Sequence, residues 1–143
     1  MTVESILKHK GSEVVTVGPG DTLEATASVL YSRKIGAVVV QDAAGNVVGV
    51  LSERDIVRGI AQGGASCLSR PVKDFMSGTV VSCRMHDTVI EVTGRMSDRR
   101  IRHLPVIENG KLVGMISIGD VVKRRIDEAL LEADELRRYI ATG

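Results

Sequence analysis

The chain has 143 residues, enough for one compact domain or two small units sharing a core, and 43% of them are hydrophobic. Aromatic residues make up only 2%, with no Trp, which counts against the exposed ring surfaces that hold single-stranded nucleic acid. A formal net charge of +1 gives no global field toward nucleic acid or a membrane surface.

Cys67 and Cys83 form neither a disulfide framework nor a zinc spacing and read as reduced bystanders. Met1-Thr2-Val3-Glu4 lacks a basic n-region and an apolar h-region, so no signal peptide is expected. No apolar run approaches the roughly 18 residues that a membrane helix requires. The expected setting is the cytoplasm.

Val3 to Lys8 reads as a short amphipathic turn of helix, with Val3, Ile6 and Leu7 on one side. Glu13 to Val17 is a β-branched strand candidate, ended by Gly18-Pro19-Gly20. Asp21 or Thr22 then caps a helix to about Lys34, in which Leu23, Ala27, Leu30 and Tyr31 are spaced to form one buried stripe. Ala37 to Gln41 and Val47 to Leu51 are nearly continuous apolar β runs joined by an Ala-Gly-Asn turn, as strands covered on both faces tend to be. Ser52 to about Gln62 is a second helix, closed by Gly63-Gly64. This order is β-α-β-β-α.

Ala65 to Ser77 connects to a second copy and contains Pro71 and the turn Val72 to Met76, the counterpart of Val3 to Lys8. Val80 to Cys83, Thr88 to Arg99, His103 to Glu108 and Lys111 to Ser117 repeat the same elements, and a longer helix runs from Gly119 to about Ile140. Its apolar residues Val122, Ile126, Ala129, Ala133, Leu136 and Ile140 lie opposite the charge pairs Arg124 with Glu128 and Asp134 with Arg138. Two placements fit that pattern: folding back on its own domain, or reaching across to a second subunit.

The repetition is visible in the letters. Gly49-Val50-Leu51-Ser52-Glu53-Arg54-Asp55 reappears as Gly114-Met115-Ile116-Ser117-Ile118-Gly119-Asp120. Asp21-Thr22-Leu23 matches Asp87-Thr88-Val89, Arg33-Lys34-Ile35 matches Arg99-Arg100-Ile101, and Val38-Val39-Val40 matches Leu104-Pro105-Val106. The boundaries expected from this are 1–64 for the first repeat, 65–76 for the connection, 77–125 for the second repeat and 126–143 for a helical extension.

Each Ser-x-x-Asp sits at a strand-to-helix junction. One reading is a capping box that satisfies the orphan amides of the helix start. The other is functional: the free amides and partial positive charge of a helix N-terminus seat phosphate, and a carboxylate accepts two adjacent hydroxyls such as a ribose diol.

On these residues the chain resembles a tandem pair of CBS domains, the cystathionine β-synthase type repeats also found in IMP dehydrogenases, chloride channels and the gamma subunit of the AMP-activated protein kinase. The resemblance implies an α/β (α+β) Bateman module, two β-α-β-β-α repeats packed sheet to sheet about a pseudo-twofold axis, followed here by the long C-terminal helix. It also implies two clefts for adenine nucleotides such as AMP, ADP, ATP or an NAD-type ligand, with no cofactor required, and association into a homodimer. Carried over residue by residue, one cleft takes Ser52, Arg54, Asp55, Thr79, Val80, Arg102 and His103. The other takes Ser117, Asp120, Val14, Val15, Gly36 and Ala37. Arg102 and His103 stand where Gly36 and Ala37 stand in the first copy, so the clefts are expected to be unequal.

The function this suggests is a ligand sensor that reports energy or redox state through oligomer packing or a separate regulated partner. A ligand-free dimerisation module is the alternative. An enzyme is not expected: there is no nucleophile with its base, no metal spacing, no Walker A loop and no G-x-G-x-x-G. Nor is a nucleic-acid binder, since acids accompany Lys123-Arg124-Arg125 on the same helix.

Overall fold

The computed structural model describes residues 1–142. The side chain of Thr2 accepts from Ser5 N–H to cap α1 (Val3–Lys10), which ends at Gly11. Thr22 and Thr88 do the same for α2 (Leu23–Arg33) and α4 (Val89–Arg99). Both of those helices end on a basic residue in the left-handed region, Lys34 at φ 55° and Arg100 at φ 54°. The remaining elements are β1 (Thr16–Val17), β2 (Ala37–Gln41), β3 (Val47–Ser52), α3 (Glu53–Gly63), β4 (His103–Glu108), β5 (Lys111–Ser117) and α5 (Ile118–Thr142). Two short 3-10 turns, Ala65–Ser69 and Val72–Asp74, lie in the connection.

The first sheet has the order β1-β2-β3, with β1 parallel and β3 antiparallel to β2; in the second, β4 pairs antiparallel with β5. The sheets face each other. Val38 and Val40 point into the first repeat's core. Ala37 and Val39, on the other face of β2, pack against Met115 together with Val14, Val47, Val50 and Leu112. This is why β2 is apolar at four successive positions.

Three expectations are corrected. The first strand covers only Thr16–Val17 of Glu13 to Val17. Val80 to Cys83 is no strand, only a parallel bridge between Cys83 and Val106. Pro105 supplies the reason: its counterpart Val39 donates its N–H to the carbonyl of Val15 at 3.2 Å, and proline has no N–H to give. Tyr31 is 87% exposed, and Thr26, 1% exposed, takes the place on the buried side of α2, with its hydroxyl donating to the Thr22 carbonyl at 3.0 Å.

The last helix does not fold back. Among its residues Val121 is buried, whereas Ile126, Leu136 and Ile140 are more than half exposed. Of the two expected charge pairs, Asp134 and Arg138 meet at 3.1 Å, while Arg124 Nε is buried without a hydrogen-bond partner among the described residues.

Sequence neighbours are not packing neighbours in the two main cores. Val3, Ile6 and Leu7 of α1 fill the core built by Val89, Val92, Met96, Leu104, Val106 and Ile116 in the second repeat. Val72, from the connection, fills the core of Leu23, Leu30, Val38, Val40, Leu51 and Ile56 in the first. The main chain matches: Val3 N–H donates to the Asp87 carbonyl at 3.0 Å, and Val72 N–H to the Asp21 carbonyl at 2.8 Å. Each repeat is therefore closed by the segment that leads into the other one, α1 closing the second and the connection closing the first.

This crossing explains the repeated glycines. A Cβ on Gly49 would lie 2.5 Å from Met76 Sδ and 2.8 Å from the Ser77 carbonyl oxygen, and one on Gly114 would lie 2.7 Å from Leu7 Cδ1. In both repeats the closing segment lies directly against the strand where only glycine fits. Gly49→Ala meets a main-chain atom that cannot rotate away, so it should cost about 1–3 kcal/mol in a urea titration. Gly114→Ala meets only a leucine tip and should cost less; equal stability of both variants and wild type would contradict this packing.

Candidate functional site

The two sheets present the N-termini of α3 and α5 on matching main-chain bonds. Glu53 N–H donates to the Gly36 carbonyl at 3.0 Å, and Ile118 N–H donates to the Arg102 carbonyl at 2.8 Å. Strand and helix are thereby fixed together at each junction, so the acid three residues after each serine has a set position.

At the first junction Asp55 is 9% exposed, with Oδ2 accepting from Ser52 N–H at 2.8 Å and from the Ser52 hydroxyl at 3.2 Å. Its Oδ1 is paired with Arg58, one turn further along α3. A carboxylate has about four lone-pair sites, so capping does not exhaust it, and Arg58, with its side chain 56% exposed, is free to swing aside.

Asp55 opens onto a cleft of about 400 Å³, in the range of small-molecule sites. Its walls bring together Ser52, Arg54, Asp55, Thr79, Arg102 and His103, as the sequence reading grouped them. Val80 does not reach the wall; Val81 does, because this extended segment, unpaired up to Cys83, turns its next residue toward the cleft. Gly36, expected beside Asp120, lines this cleft instead.

Glu53, Arg58, Arg100, Val50, Ser77 and Ile101 complete the wall and were not singled out from sequence. Arg58 had a usable signal, since three residues after Asp55 on a helix is the same face. Arg100 had none: its left-handed backbone, which ends α4, carries it to the cleft.

The composition of the cleft divides by chemistry. Val50, Val81 and Ile101 offer apolar surface, and Arg54, Arg58, Arg100 and Arg102 bring four guanidinium groups against the two acids Glu53 and Asp55. Apolar surface, a carboxylate at a helix N-terminus and a bank of cations suit a molecule with a flat ring, a diol and phosphates.

His103 lies where the two halves meet. A Cβ on Gly36 would stand 3.1 Å from its Cε1 and 3.2 Å from its Nε2. Burial lowers its pKa, with Lys10 and Arg102 adding to the effect and Glu53 and Asp120 opposing it. The fold therefore prefers the neutral ring.

The second junction is built differently. Asp120 Oδ2 accepts from Ser117 N–H at 2.8 Å, and Asp120 N–H donates to the Ser117 hydroxyl at 3.1 Å, so this pair is a capping box. Burial opposes ionisation of Asp120, but the Lys10 ammonium at 2.6 Å and the Ser117 amide outweigh it and hold the carboxyl below its usual range. Ala37 and Val14 are packed between the sheets, and Val15 packs on the first core with its carbonyl bonded to Val39. Of the residues expected around Asp120, Ser117 bonds it, and Gly36 lines the Asp55 cleft.

Cys67 and Cys83 are free and buried in separate cores, and burial, then the Asp87 charge, pushes the Cys83 thiol up to about 12. Among the described residues no group of three His, Cys, Asp or Glu is placed to hold a metal ion. Among the described residues no helix is long and apolar enough to cross a membrane.

Comparison with known proteins agrees with this architecture. The CBS domain family matches residues 3–62 and again 72–127. The crystal structure of the CBS-domain containing protein ATU1752 from Agrobacterium tumefaciens is 47% identical with a TM-score of 0.85, covering 87% of this chain and 92% of that one. The mitochondrial CBS domain-containing protein CBSX3 of Arabidopsis thaliana is 31% identical over 99% of this chain and 73% of its own length. The CBS domain pair of MJ0100, solved in complex with 5′-methylthioadenosine and S-adenosyl-L-methionine, shares the fold at a TM-score of 0.80 and 21% identity, covering 90% of this chain and 98% of that one. The chain belongs to the CBS domain family and carries the domain twice.

His103 yields a prediction with a defined sign. Because its folded pKa is below the ordinary 6.5, the unfolded chain binds more protons as pH falls below that value, and stability should drop until the folded pKa is passed. Urea midpoints from about pH 7.5 to about pH 5 should show a slope that His103→Gln flattens. Identical slopes would contradict the buried neutral ring.

Proposed function

We propose that the protein is a regulatory, non-catalytic module that binds an adenine nucleotide (AMP, ADP, ATP or an NAD-type ligand) in the cleft of Asp55. The observation that carries this is the meeting of Asp55, at the start of α3, with Arg54, Arg58, Arg100 and Arg102 across one cleft. In this reading Asp55 takes the ribose hydroxyls, displacing Arg58 toward the phosphates, and Val50, Val81 and Ile101 pack on the base. Arg102 and Arg100 bind phosphate, and Ser52 and Thr79 supply polar contacts at the rim.

The MJ0100 pair takes adenosine compounds without phosphate, one of them a sulfonium cation. Four arginines here repel a sulfonium and favour phosphates, which supports a nucleotide over S-adenosyl compounds. The setting is the reducing cytoplasm, where two buried cysteines remain thiols.

The output passes through packing between subunits or to a separate partner. Ile126, Leu130, Leu131, Leu136 and Ile140 along α5 are each more than half exposed, which supports a homodimer built on this helix. That surface also favours the second reading, a dimerisation module indifferent to ligand.

Thermal melts and sedimentation together separate the readings. The wild type should sediment as a dimer, and ATP at a hundred times its Kd should stabilise it by about 2.7 kcal/mol. Asp55→Ala should cost about 1 kcal/mol of capping and weaken ATP about tenfold or more while leaving the dimer intact. A folded dimer whose melt ignores ATP and every other adenine nucleotide would leave only the dimerisation reading, and a monomer would remove that as well.

A further inference from the structure

The repeat pairs Met115 with Val50, yet the carbonyls of these two residues are satisfied by different groups. In the first repeat the Val50 carbonyl accepts from Ser77 N–H at 3.0 Å. In the second the Met115 carbonyl accepts from Lys10 Nζ at 2.8 Å, and the same ammonium lies 2.6 Å from Asp120 Oδ2. A side-chain cation from the last turn of α1 thus does the work of a main-chain amide and also occupies the acid equivalent to Asp55.

From this we infer that Lys10 is a built-in occupant of the second nucleotide position, so that each chain takes one adenine nucleotide, at Asp55 alone. The inference rests on the Asp55 cleft being the nucleotide site. A ribose diol offers Asp120 two neutral hydroxyl donors, whereas the ammonium brings a full opposite charge together with its hydrogen bond.

Displacing the lysine would also strip the Met115 carbonyl of its donor. Nor is this pairing like the one at Asp55: Arg58 lies on the same helix as its acid with its side chain 56% exposed, while Lys10 comes from another element, 33% exposed, and is held by two acceptors. Gly119 and Ile118 stand where Arg54 and Glu53 stand at the first junction, so the second lacks a counterpart of the Arg54 guanidinium.

Calorimetric titration of ATP into the dimeric wild type, Lys10→Met and Lys10→Met/Asp120→Asn tests this. One ATP per chain is expected for the wild type, two for Lys10→Met, and one again for the double variant. Two per chain in the wild type, or one in all three, would overturn the inference and leave the Asp55 site standing. No binding by any of the three would overturn both. Should Lys10→Met fail to fold, Lys10→Gln keeps a donor for Met115 without the charge and should also bind two; one would count against the inference.

Discussion

Each repeat borrows the piece that completes its core from the segment that leads into the other repeat. α1 inserts Val3, Ile6 and Leu7 beneath the second sheet, and the turn after Pro71 inserts Val72 beneath the first. Neither sheet can bury its inner residues without that segment, so separating the repeats in space would open both cores at once. The glycines at 49 and 114 mark where the borrowed pieces lie closest to the strands. With those contacts fixed, the sheets are held face to face through Ala37, Val39 and Met115, and the starts of α3 and α5 are set at the joint between them.

The same exchange makes the halves unequal. The segment that closes the second repeat is a full helix of eight residues ending in Lys8-His9-Lys10, whereas the one that closes the first is a 3-10 turn of three residues followed by Ser77 and Thr79. A long basic side chain therefore reaches Asp120, and short hydroxyls border Asp55. Pro105 and Arg102 add further differences on the second copy, one by removing a strand bond and the other by placing a cation in the first cleft. A pseudo-symmetric scaffold thus carries one cationic cleft and one internally neutralised acid.

Much of this was legible in the letters. The strands His103–Glu108 and Lys111–Ser117 have the bounds that β-branched runs and the Asn-Gly turn imply, and Thr22, Ser52 and Thr88 mark helix starts by their hydroxyls. The grouping of Asp55 with Arg102 and His103 was what the resemblance to tandem CBS domains implied for the repeated positions. Other features depend on tertiary context that local patterns do not encode. Tyr31 has the spacing of a buried residue but yields to Thr26, which bonds its own helix. The core that α1 fills is set by a contact some eighty residues distant, Val3 to Asp87, invisible to periodicity. Lys10 reads as an ordinary helix-end cation until the fold brings Asp120 beside it.

We propose one asymmetry on a symmetric frame: the acid at the start of α3 takes a nucleotide, and its twin at the start of α5, paired with Lys10, does not. A crystal structure of the chain grown with ADP tests it directly. The account predicts ribose hydroxyls on Asp55, phosphates among Arg54, Arg100 and Arg102, and Lys10 still bonded to Asp120. Adenosine seated on Asp120, with the Asp55 cleft empty, would contradict it.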